Sequence, residues 1–121
     1  MEDLLKYLKR EFPDPDYRYA YAKSFLNIKL ATQIKVLREQ RQKSQAEIAK
    51  IMGITQSGYN RFENIDHSVW KTDSLWDIAR ALGVRVNISF ETFGTLPDDK
   101  GNFNKQSLER PTFEDDPVFK E

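Results

Sequence analysis

Apolar residues recur every three to four positions through most of this chain, then switch to strict alternation after residue 83. Leu4, Leu5 and Leu8 share one face of a short helix predicted from Asp3 to Phe12, which Pro13 and Pro15 interrupt. From Asp16 the stripe resumes with Tyr17, Tyr21, Phe25, Ile28, Ala31, Ile34 and Leu37. That spacing predicts one long helix, or two abutting ones with a break at Asn27, running to about Gln42.

The next stretch, Ser44 to Asn64, carries the clearest punctuation. Ser44 is a strong N-cap, and Glu47 three residues on completes a capping box. Ala46, Ala49 and Met52 follow at helical spacing, with Ile48 and Ile51 beside them. Gly53 supplies the left-handed residue that ends such a helix. A second N-cap comes at once, at Thr55. Tyr59 and Phe62 lie three apart on the apolar side of this second helix, while Gln56, Ser57, Asn60 and Arg61 make up a polar face. Two short helices joined by a tight turn put a helix end where it can enter the major groove of DNA.

Beyond this pair, Thr72 or Asp73 caps a helix through Leu75, Ile78, Ala79 and Leu82, which Gly83 ends. Residues 84–93 then alternate apolar and polar with period two, the pattern of a half-buried strand. No second convincing strand exists to pair with it. A lone strand leaves backbone groups unpaired, so the expected remedy is the same strand from a second copy across a two-fold axis, or a partner's sheet edge. From Gly94 onward the composition shifts to Pro, Asp, Asn, Gly and Glu, read as an acidic, flexible tail with at most a helical turn at Ser107–Pro111. Phe113 and Phe119 are spaced through it as a docking peptide would space them.

Charge sharpens this picture. The 121 residues carry 19 basic and 19 acidic side chains, a formal net charge of zero. The distribution is uneven. Residues 17–85 hold 12 basic and 6 acidic residues, whereas residues 86–121 hold 4 basic and 8 acidic. Non-specific DNA affinity comes mainly from Lys and Arg displacing counterions from phosphate, so the positive charge sits in the segment with the paired helices. There is no cysteine, which excludes a disulfide framework and thiolate metal sites, and His67 alone in a loop does not make a ligand set. No apolar run approaches the roughly 18 residues of a membrane span, and no signal-peptide pattern opens the chain, so a cytoplasmic protein is expected. Nucleophile–base sets and glycine-rich phosphate loops are absent, and the acid pairs Asp98-Asp99 and Asp115-Asp116 lie in expected loops; an enzyme is not expected, nor a cofactor or metal.

The chemistry of the second helix fits base reading. Gln and Asn can bond the N6/N7 edge of adenine twice, and Arg the O6/N7 edge of guanine or a phosphate. Polar-faced helical hairpins also occur in proteins that bind no nucleic acid. Two features favour DNA here: the very short turn through Gly53, and a first turn of small polar residues where a purely packing helix would show Glu/Lys pairs.

At these residues the chain resembles the Cro/C1-type helix-turn-helix, also called the xenobiotic-response-element type, of the phage lambda and 434 repressors. The carrying pattern is Ser44-Gln45-x-Glu47-Ile48-Ala49-x-x-Met52-Gly53-Ile54-Thr55-Gln56-Ser57-x-Tyr59-x-Arg61-Phe62-Glu63-Asn64. The resemblance implies a mainly α, five-helix lambda-repressor-like domain over residues 28–83. Around it stand a helical arm at 1–27, a dimerising strand at 84–93 and the acidic tail at 94–121. It implies that Gln45 clamps a phosphate, that Gln56 and Ser57 read bases, and that Asn60 and Arg61 lie on the same face. Lys43, Thr55 and Tyr59 complete the DNA-contacting set. Arg38 and Glu63 match a structural ion pair tying the first helix of the domain to the end of the recognition helix. The chain departs from the family after Asn64, where Ile65-Asp66-His67-Ser68-Val69-Trp70-Lys71 replaces a glycine-rich loop.

The expected function is sequence-specific binding of double-stranded DNA by a transcriptional regulator, a repressor acting as a homodimer on a palindromic operator. Two alternatives stay open. One is the antitoxin of a toxin–antitoxin pair, its aromatic arm or acidic tail covering the toxin. The other is a protein–protein adaptor that keeps the fold without binding DNA. The aromatic arm itself admits two uses, packing over the core or binding a partner.

Overall fold

Seven α-helices and two 3-10 turns, with no strand, make up the described part of the chain. The computed structural model describes residues 3–120. Helix α1 spans Leu4–Glu11, and the Asp3 carboxylate caps it by accepting from the Lys6 backbone N–H at 2.8 Å. Helix α2 spans Pro15–Gln40, with Pro15 in its first turn, where a missing N–H costs nothing, and Asp14 capping.

Of the two readings of this stretch, the single long helix holds, and the break expected at Asn27 is not made. Its intrinsic helix deficit is at most about 0.7 kcal/mol. Buried Phe25, Ala31, Ile34, Val36 and Leu37 hold the helix on both sides of it. The arm and the first helix of the domain are therefore one helix.

Helix α3 spans Gln45–Met52 and carries the expected capping box: the Ser44 hydroxyl accepts from the Glu47 N–H and the Glu47 carboxylate from the Ser44 N–H. Gly53 ends it in the left-handed region at φ 72°. The buried positions of α3 are Ile48 and Ala49, while Ala46 and Ile51 face solvent. Helix α4 spans Gln56–Asn60 and runs into a 3-10 turn at Arg61–Glu63. Helix α5 spans Thr72–Leu82. Lys71 occupies its N-cap position without a side-chain cap bond, so the capping expected of Thr72 or Asp73 is not made. Residues 28–83 thus hold four α-helical segments and one 3-10 turn rather than five helices. Gly83, at φ 76°, ends the last of them.

The core of this unit is Ile34 and Leu37 from α2, Ile48 and Ala49 from α3, Tyr59 and Phe62, and Ile78 and Leu82 from α5, with Trp70 packed against it. The 64–71 loop is pinned from inside. Trp70 stacks on Phe62, and His67 meets Trp70 edge-on at 4.5 Å between centroids, so His67 is half-buried rather than solvated. At the far end, the Arg41 guanidinium Nε donates to the Leu82 carbonyl at 2.8 Å, fastening the end of α2 to the end of α5.

Two expectations about the C-terminal third are overturned. Residues 84–92 form no strand. Alternation selects the two faces of a strand but supplies no ladder, and the described residues hold no second strand to pair with. Ile88 and Phe90 are left pointing into solvent, Phe90 fully exposed. The tail, in contrast, is folded onto the domain. A 3-10 turn at Phe93–Thr95 leads into α6 (Leu96–Gly101) and α7 (Lys105–Leu108), which bury Leu96 and Leu108. The Gln33 amide donates to the Leu108 carbonyl, the Gln40 amide oxygen accepts from the Arg110 N–H, and the Gly83 carbonyl accepts from the Phe113 N–H. These bonds hold the tail along α2 and the end of α5.

The aromatic arm packs. The Phe12 ring meets Tyr21 and Phe93 edge-on at 5.5 and 5.7 Å, Phe25 meets Phe103 at 5.7 Å, and the Tyr7 and Tyr17 hydroxyls are hydrogen-bonded. Tyr19 remains largely exposed. No helix among the described residues is long and apolar enough to cross a membrane.

Candidate nucleic-acid interface

Helix α4 presents a polar face, held from behind by apolar anchors. Tyr59 and Phe62 point inward and are buried, and their rings meet edge-on at 6.3 Å. That inward anchoring turns Thr55, Gln56, Ser57, Asn60 and Arg61 outward, and all five are exposed. The Thr55 hydroxyl caps α4 by accepting from the Gly58 N–H at 3.0 Å and lies 3.3 Å from the Ser57 hydroxyl. The Arg61 guanidinium sits over the Phe62 ring, 5.0 Å from its centroid, a cation–π contact that restrains an otherwise free side chain.

Tyr59 is the one residue of the expected DNA-contacting set that the structure removes. Its side chain has no exposed surface and belongs to the core. Its spacing from Phe62 was the signal of an inward position. Burial, together with the neighbouring Glu63 carboxylate, pushes its phenol well above the ordinary range, so it stays neutral.

Behind the face lies a charged brace. Arg38 Nε donates to Glu63 Oε2 at 2.7 Å and Arg38 Nη2 to Glu63 Oε1 at 3.0 Å. Arg38 Nη1 donates to the Lys43 carbonyl at 2.9 Å, so one guanidinium holds the α2–α3 turn and the 3-10 turn after α4 together. The Glu63 side chain is 4% exposed. Burial opposes its charge, but Arg38, with Tyr59 and Gln45 beside it, outweighs that and holds the carboxyl below its ordinary value.

Gln45 links the brace to the outer face. Its Nε2 donates to Glu63 Oε1 at 3.2 Å, and its Oε1 accepts from Asn60 Nδ2 at 2.9 Å. Lys43 is half-buried at the α2–α3 turn, beside the start of α3. Sequence reasoning named every member of this network but not the bond joining Gln45 to Asn60, because helix pairing across 15 residues has no local signature.

Residues 34–88, a little under half of the chain, match the family model described as Helix-turn-helix. This segment is a DNA-binding helix-turn-helix domain, with α3 and α4 as its two signature helices. It is of the Cro/C1 type, a family of transcriptional regulators. No curated protein and no solved structure matches the chain.

Proposed function

We propose that the protein is a sequence-specific repressor of transcription, acting in the cytoplasm as a homodimer on a palindromic operator. The observation that carries this reading is the exposed face of Gln56, Ser57 and Arg61 over the buried Tyr59–Phe62 anchor. Gln56 and Ser57 read base edges in the major groove, and Arg61 bonds a guanine edge or a phosphate. Gln45 and Lys43 hold the backbone, with Thr55 fixing the start of α4. Two copies related by a two-fold axis place two such helices about 34 Å apart, in successive major grooves. The exposed Ile88 and Phe90 side chains supply apolar surface for the contact between copies.

The test is unbiased selection of duplex sites by the full-length protein, with Gln56→Ala beside it and sedimentation of both. A palindromic motif whose preference relaxes at one base pair in the variant, bound by a dimer, is the expected result. Replacement of Gln56 is expected to cost about 1–3 kcal/mol on the selected site. Equal binding of selected and random DNA by parent and variant would sink the base-reading role, and a monomer on DNA would sink the dimer.

A further inference from the structure

The hydrogen-bond network behind the recognition face has a direction, and it begins at Glu63. A carboxylate is an acceptor only. Both of its oxygens take Arg38 donors, and Oε1 also takes a donor from Gln45. Facing that oxygen, the Gln45 side chain has to turn its NH2 group inward, which fixes which end of the amide is nitrogen. The Gln45 oxygen then faces the other way, toward Asn60, and accepts from the Asn60 NH2 at 2.9 Å. Each amide orientation is thus dictated by the one before it.

Counting donors and acceptors gives the outcome at the surface. Gln45 has given one N–H to Glu63 and one lone pair to Asn60, which leaves its second N–H and a second lone pair. Asn60 has given one N–H to Gln45 and keeps its second N–H and its oxygen. The buried ion pair therefore sets the polarity of groups at the exposed edge of α3 and α4. A free N–H beside the start of α3 suits a phosphate oxygen, whereas a flipped amide would offer an oxygen and repel it.

We infer that Asn60 is a positioning residue: its amide locks Gln45 with an N–H presented to the DNA backbone, rather than reading a base itself. This rests on the DNA-binding reading above and assigns Asn60 a different task from Gln56 and Ser57. Asn60 is exposed and outside the core, so its replacement leaves the fold in place. Without the Asn60 amide, Glu63 still fixes which end of the Gln45 amide is nitrogen, but the side chain is held by one bond instead of two and its second N–H is no longer held in one place.

The experiment compares the full-length parent with Asn60→Ala, Gln45→Ala and the double variant. Binding is measured to a duplex taken from the selection and to a mixed-sequence duplex. Asn60→Ala is expected to weaken both duplexes by the same factor, about three- to tenfold. A repeated selection returns the parent's base preferences, and the double variant binds no more weakly than Gln45→Ala. In the free protein, the Gln45 side-chain amide resonances shift in Asn60→Ala, because the Gln45 carbonyl loses its donor while the N–H to Glu63 is kept. Lost preference at one base pair in Asn60→Ala would make it a base reader and overturn the inference. Additive losses in the double variant, or unmoved Gln45 amide resonances, would also overturn it. A parent that binds neither duplex would sink the DNA-binding reading itself, a result distinct from all of these.

Discussion

Arg38 and Glu63, 25 residues apart, meet through two parallel hydrogen bonds of 2.7 and 3.0 Å, with 14% and 4% of their side chains exposed. The pair joins the end of α2 to the 3-10 turn that follows α4. A buried pair left half-made is far worse than no pair, because the survivor keeps its desolvation cost without its partner. Arg38→Ala is expected to destabilise the protein by about 3–5 kcal/mol. The double change Arg38→Met/Glu63→Leu, which removes both charges, is expected to cost less than Arg38→Ala. Denaturant titration of the two variants checks this, and a double variant worse than the single would refute it.

The same pair sets an acid limit. The Glu63 carboxyl, lowered from an ordinary value of 4.5, holds its proton less readily folded than unfolded. The backbone and hydroxyl of Ser44 lower the exposed Glu47 carboxyl in the same direction. A depressed carboxyl contributes stability that is complete above its unfolded value and is lost as pH falls through its folded value. Stability is therefore expected to be insensitive to these two groups from neutral pH down to about 5, and to fall below that. Glu47→Gln should flatten part of the acid limb by lowering stability at neutral pH, with variant and parent converging in acid. An acid limb identical to the parent's would contradict the assignment.

Tyr59 separates core from interface. Tyr59→Phe keeps the buried ring and removes only a hydroxyl beside Glu63. DNA affinity and base preference are expected to match the parent's, and stability to change by about 1 kcal/mol. A tenfold or greater loss of DNA affinity, with stability intact, would return Tyr59 to the interface.

Gly83 combines two demands at one residue. Its backbone is left-handed, and a Cβ there would stand 3.0 Å from the Cβ and Cγ2 of Thr112 in the tail. Gly83→Ala is expected to cost about 1–3 kcal/mol. It should also loosen the tail, read as faster tryptic cleavage at Lys100 and Lys105. Adding Thr112→Ala should recover the protease resistance in part but not the backbone strain. Unchanged cleavage in Gly83→Ala would show that the tail docks without this contact.

The paired helices were legible because their instructions are local. Ser44, Glu47, Gly53 and Thr55 each act on backbone groups within four residues, so the sequence alone shows where α3 and α4 start and where the first stops. The tail was not legible, because it docks through Gln33, Gln40 and Gly83 onto backbone atoms of Leu108, Arg110 and Phe113. Amide-to-backbone bonds across seventy residues leave no pattern in composition, which here reads as acidic and loose. Residues 84–92 misled for the opposite reason: alternation is visible in sequence, but the partner a strand requires is not. Tyr59 was ambiguous because a phenol serves equally at a surface and in a core, and only its spacing from Phe62 separated the two.

The unbroken α2 has a mechanical consequence. Twenty-six residues of α-helix make a rod of about 39 Å, with the aromatic arm along one half and the DNA-binding unit built on the other. With no joint at Asn27, the arm keeps one fixed bearing around the axis of α2. One residue inserted there would turn the arm by about 100° and seven would nearly restore it. Tyr19 is thus held in a set phase relative to the exposed polar face of α4.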